Sequence, residues 1–192
     1  ISAMNTHRQL MATDNMMSKS LEKLSSGLRI NRAADDSAGL AISQRLRSQV
    51  AGLKMASQNA EQAKNMVQTA EGFLNEVHNM LGRMRELAVQ AASDTVENAN
   101  RTSLDAEFGL LRTEIDRIAA SAEYNGNFLL DGTFTNKQIQ IGANGTANDV
   151  LSISIDGIDS TVMGIDGNSV DTLNAAVTAM EDIESAIDTV ST

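Results

Sequence analysis

Between Leu53 and Ala91 the chain places an apolar residue at every step of an alternating three- and four-residue spacing: Leu53, Ala56, Ala60, Ala63, Val67, Ala70, Leu74, Val77, Leu81, Met84, Ala88 and Ala91. A repeat that averages 3.5 residues and never lapses predicts a long helix with one continuous buried seam. The many alanines let partner helices approach closely. No proline occurs anywhere in the chain, so nothing forces a break. With Ser37 as N-cap, the helix is expected to run to about Ala92, a rod of roughly 80 Å. Gly52, Gly72 and Gly82 lie inside it. Each costs about 1 kcal/mol relative to alanine, and each reads either as a close neighbour or as curvature.

The flanking segments repeat the pattern more weakly. Ala3, His7, Leu10, Asp14, Met17, Leu21, Leu24 and Leu28 form a heptad seam in which His7 and Asp14 are polar. Such a helix should order only against a partner. Between this seam and the long helix lies EKLSSGLRINRAADDSAGLAISQRLRSQVAGL, with two glycine-containing breaks and a turn from Asn31 to Ser37. After the polar stretch 93–100, Thr102 with Asp105 resembles a capping box. The next helix carries Leu104, Phe108, Leu111, Ile115, Ile118 and Ala122. A short loop between striped helices predicts antiparallel packing. Asn125-Gly126 and Asp131-Gly132 then mark turns. Lys137 to Ile141 and Leu151 to Ile155 alternate as two strands of a hairpin. Ser169 is the expected cap of a last helix striped by Leu173, Ala176, Met180, Ile183, Ile187 and Val190. The stripe is still in phase at Val190, which reads as the start of a longer helix. The fold class is therefore mainly α: a long antiparallel coiled-coil rod with a small β-hairpin region.

Composition narrows the function. Aromatic residues make up 3% of the chain, and there is neither Trp nor Cys. The core must then be aliphatic and thin, and disulfides and thiolate chemistry are excluded. No apolar run reaches the roughly 18–20 residues of a bilayer span. Residues 1–54 hold eight Lys/Arg and four Asp/Glu, a charge of +4, whereas the remainder holds seven and 21, a charge of −14. A basic end suggests nucleic acid, but the aromatics needed to stack bases are not interleaved with it. A basic end packed on an acidic neighbouring copy explains the split as well. Arg29, Arg32, Arg45 and Arg47 are the candidates for that contact.

Nothing in the sequence assembles into a catalytic centre. Asp35 and Asp36 adjoin a helix start, where acids suit the helix dipole. His7 and His78 lie 71 positions apart without an acidic or cysteine cluster, so no metal set forms. Asp156-Gly157 and Asp166-Gly167 lack the ligand spacing of a calcium loop. SSG and SAG lack the pattern of a phosphate loop. Asn100-Arg101-Thr102 and Asn144-Gly145-Thr146 match the glycosylation acceptor triplet, a short pattern that recurs by chance. No cofactor is expected.

The central stretch LSSGLRINRAADDSAGLAIS resembles the N-terminal signature of bacterial flagellin, the subunit of the flagellar filament. QTAEGFLNEVHNMLGRMRELAVQAAS, EIDRIAASAEYNGNFLLDG and QIQIGAN resemble later parts of the same family, and the likeness covers residues 1 to about 165. It implies an inner terminal helix and spoke over 1–36, a core rod domain over 37–168, and the start of a returning C-terminal helix over 169–192. Only Gly157 to Asn168 stands where larger members insert outer domains, so the chain resembles a short, core-only flagellin. The resemblance further implies a non-enzymatic, secreted homopolymer, in an external or a periplasmic filament. Its implied partners are an export chaperone, the hook-associated junction and cap proteins, and a host toll-like receptor; nucleic acid and membrane are not among them. For that receptor the matching positions are Arg83, Leu87 and Glu107, with Gly82 departing from the family's usual Gln. Two alternatives stand beside it: the related hook–filament junction protein, and a coiled-coil adaptor unconnected with motility.

Overall fold

The computed structural model describes residues 1–191. Its elements in order are α1 (Ser2–Ser26), α2 (Ser37–Ala91), α3 (Asn98–Ser121), β1 (Glu123–Tyr124), β2 (Asn127–Phe128), β3 (Lys137–Gln140), β4 (Val150–Ile153) and α4 (Leu173–Ser191), with a single 3₁₀ turn at Ala147–Asp149. The chain divides into two compact units, and the boundary falls within α2, after Met55.

The first unit contains α1, the connecting turn and the start of α2. Gly27, at φ 67°, closes α1 in the left-handed conformation that favours glycine. Asn31 then donates its side-chain amide to Glu22 O and Ser26 Oγ, tying the turn back onto the helix end. Asp36, rather than the expected Ser37, caps α2: its Oδ1 accepts the Gly39 N–H at 2.8 Å. A side chain at Gly39 would run into the Asp36 carboxyl group and meet Ile30 Cδ1 at 3.0 Å, so the cap leaves room for glycine alone. None of residues 1–55 is buried.

The second unit holds the core. Val77, Leu81, Met84, Ala88 and Ala91 of α2 pack with Phe108, Ile115, Ile118 and Ala119 of α3 and with Ala176, Ala179, Ile183 and Ala186 of α4. These spacings keep each helix's contacts on one stripe. Leu129, Leu130, Phe134, Ile158, Met163, Ile165 and Val170, from the irregular segments after α3, complete it.

The seam expectation needs correction at its start. Leu53 is 55% exposed, and burial begins at Ala56. Ala60 is exposed, and Val67 and Leu74 are half-buried. A heptad pattern marks the apolar face of a helix but not the length over which a partner covers it. Two expected caps also move. Thr102 lies inside α3 with its hydroxyl on Asn98 O, and Asp105 instead accepts the N–H of Val170. The last helix starts at Leu173, where Thr172 Oγ1 accepts the Ala175 N–H, and Ser169 serves the turn before it.

The expected hairpin forms from β3 and β4, antiparallel with Ile139 opposite Leu151 and Lys137 opposite Ile153. A second, smaller hairpin pairs β1 with β2. Asn125 and Gly126, at φ 50° and 79°, make its two-residue turn, the mirror-image type that matches strand twist.

Candidate interaction surfaces

Three groups of residues could carry recognition: the basic residues of the first unit, its apolar helix faces, and the charged surface over the α2–α3 pair.

Arg29, Arg32, Arg45 and Arg47 are all exposed. Arg32 is partly engaged, since its Nε meets Glu22 Oε1 at 2.8 Å. That contact holds the guanidinium's pKa above its ordinary value. The pair is solvent-exposed and of the kind that contributes little to stability. Arg29, Arg45 and Arg47 have no carboxylate partner among the described residues, so three of the four cations are open to another chain.

Beside them lies exposed apolar surface. On α1, Met4, Leu10, Met11, Met17, Leu21 and Leu24 are all more than half exposed. On the start of α2, Ile42, Leu46, Val50 and Leu53 are likewise exposed. Ile42, Leu46, Val50 and Leu53 follow the same three- and four-residue spacing as the buried seam beyond them. Monomeric proteins seldom leave so much contiguous apolar surface uncovered, and such surface marks interaction sites.

Arg83 and Glu107 come together across α2 and α3. Arg83 Nε and Nη2 donate to Glu107 Oε1 at 2.9 and 2.8 Å, and Nη1 reaches Glu86 Oε2 at 2.9 Å. The Glu107 carboxylate chiefly, with Glu86, raises the Arg83 pKa. Leu87 does not join them. Its side chain is 0% exposed and sealed into the core, so the expectation of a surface contact through it is corrected. One helical turn from Arg83, it points inward while the arginine points out. Glu86 is the residue the sequence reading missed here; its i, i+3 spacing from Arg83 was the available signal.

A second missed residue is Arg101, only 7% exposed. It donates to Ala91 O, Ser93 O and Asn98 Oδ1 at 2.8 to 2.9 Å, stitching the end of α2 to the start of α3. Free carbonyls at a helix C-terminus are natural acceptors for a cation. Asp105, Arg112 and Asp116 of α3 are a third missed set. They hold the segment before α4 through Val170 N, Asp166 O and Asn168 O, and Ser160 respectively.

A mainly helical protein with one well-packed unit and another made of uncovered amphipathic helices is a protein of the assembling, structural class. Residues 1–135 match the family model described as the bacterial flagellin N-terminal helical region. The chain is 46% identical over 157 residues to a flagellin of Halalkalibacterium halodurans, which covers 82% of this chain and 57% of that one. It is 43% identical over 177 residues to a flagellin of Bacillus subtilis, covering 86% and 58%. It therefore belongs to the bacterial flagellin family, a family of structural proteins and not of enzymes.

The crystal structure of Bacillus cereus flagellin superposes with a TM-score of 0.61 at 27% identity, over 70% of this chain and 77% of that one. A putative flagellar hook-associated protein from Vibrio parahaemolyticus shares the fold, with a TM-score of 0.64 at 14% identity over 83% of this chain and 84% of that one. Fold alone thus does not separate the two classes; the sequence match does. The chain spans somewhat over half the length of the two flagellins it matches above.

Proposed function

We propose that the protein is a self-assembling subunit of the bacterial flagellar filament and serves motility. The observation that carries this reading, beyond family membership, is the first unit: helices with apolar faces and no buried residue. Packed helices order where isolated ones are marginal, so these faces gain most when copies of the chain cover them. Electron microscopy of purified protein after addition of salt or filament seeds tests it. Long filaments are the expected result. Discrete oligomers or a capped ring would favour the junction protein or an adaptor.

In the same reading, Arg29, Arg32, Arg45 and Arg47 meet acidic surface on neighbouring copies, in keeping with the charge split of +4 against −14. The protein is exported without a cleaved signal and works outside the cell membrane, in an external or a periplasmic filament. An export chaperone and the hook-associated junction and cap proteins are its partners along that route. The exposed cluster of Arg83, Glu86 and Glu107 is the surface offered to the host flagellin receptor, with Leu87 supporting it from beneath. Receptor binding should fall with Arg83→Ala. Binding unchanged by that substitution would place the contact elsewhere.

A further inference from the structure

The ten methionines of the chain are divided sharply by burial. In the first unit Met4, Met11, Met16, Met17 and Met55 are 57 to 72% exposed. In the second, Met66, Met84 and Met163 are at most 8% exposed, and Met80 and Met180 are half-buried. Oxidation of methionine follows access to its sulfur, and it converts a flexible apolar side chain into a polar sulfoxide.

The exposed methionines are also not equivalent among themselves. Met17 lies on the apolar stripe of α1 with Leu10, Leu21 and Leu24. Met4 and Met11, seven residues apart, flank that stripe beside Ala3 and Leu10. Met16 is turned about 100° away from Met17, toward the opposite side of the helix.

We infer that Met4, Met11 and Met17 form an oxidation-sensitive patch, at which peroxide-class oxidants switch off packing of α1 against a second copy of the chain. The inference rests on assembly through the first unit. In the reaction one peroxide oxygen bonds to the thioether sulfur, the O–O bond breaks, and water leaves. Sulfur is oxidised by two electrons and the peroxide is reduced. A helix seam that accepted a thioether must then desolvate a sulfoxide oxygen with no donor provided for it, which opposes association. The core is spared, because its methionines are out of reach, so the oxidised chain stays folded and returns to competence once methionine sulfoxide reductases remove the oxygen.

The test treats purified monomer with dilute hydrogen peroxide and maps sulfoxides by peptide mass spectrometry, then seeds assembly. Met4, Met11, Met16 and Met17 should oxidise at least tenfold faster than Met66, Met84 and Met163, by an amount on the order of that expected from access alone. Seeded filament growth should drop sharply with the thermal unfolding of the core unchanged, and reductase treatment should restore it. The triple variant Met4→Leu, Met11→Leu, Met17→Leu should grow filaments before and after peroxide. Met16→Leu should remain as sensitive as the parent. Comparable oxidation of core and α1 methionines, or normal growth of fully oxidised protein, would overturn the inference. If untreated protein does not polymerise, the assembly reading fails instead, while the map on the monomer still confirms or refutes the patch.

Discussion

At the scale of single residues, burial separates positions that share one sequence pattern. Leu81 is completely enclosed and Leu53 is open to solvent, although both sit on the same heptad. Leu81→Ala should therefore cost about 2–5 kcal/mol, and Leu53→Ala less than about 0.5 kcal/mol in the monomer. Urea unfolding of the two variants measures both; equal losses would contradict the burial described here. Arg101→Ala would leave the Ala91 and Ser93 carbonyls without their donor, with an expected loss of about 1–3 kcal/mol.

Acid sensitivity has a local source too. The Thr133 hydroxyl, followed by the Thr133 N–H, holds the Asp131 carboxyl below its ordinary value. A carboxyl group whose pKa is lower folded than unfolded stabilises fully above the unfolded value, about 3.9. That contribution fades as pH falls through the folded value. Asp131→Asn should flatten the decline of stability below about pH 4, as read by unfolding midpoints across a pH series.

At the scale of elements, the segment before α4 is tied down rather than loose. Asp116 accepts both the N–H and the hydroxyl of Ser160, at 2.7 and 3.0 Å, and Ser160 lies between buried Ile158 and Met163. Gly157 brings its backbone against Gly132: a Cβ there would sit 3.0 Å from Gly132 N. Asp116→Ala should raise amide hydrogen exchange across 158–170 more than in α3 itself; unchanged exchange would show that apolar packing alone retains the segment. In α2, Gly72 and Gly82 have open space where a side chain would project. Within one chain neither glycine is there for a close neighbour. Each replacement by alanine should stabilise the monomer by up to about 1 kcal/mol.

At the scale of the whole molecule, stability is concentrated in one unit and association surface in the other. Reversing Arg32 and Arg45 to Glu removes two of the exposed cations in the basic end. The double variant should lose filament growth while circular dichroism keeps the parent's helix content, because neither residue contributes to the core. Normal filaments from it would defeat the proposed charge pairing.

The family, the helical periodicity and the main hairpin were legible in the sequence, because they are local. A 3.5-residue repeat, alternation in strands 137–141 and 151–155, and the continuous LSSGLRIN match are all properties of neighbouring residues. What lay beyond it were the contacts that depend on distant segments meeting. Leu87 could be aligned with a family motif, but only the packing of α2 in the second unit placed it inside the core. Arg101 looked like the middle of a glycosylation triplet until the end of α2 supplied its acceptors. Likewise Asp105 read as half of a capping box until Val170 arrived from 65 positions away. The apolar seam was written continuously from Leu53, but where it becomes buried was decided by which helices lie against it, a choice made in three dimensions and not along the chain.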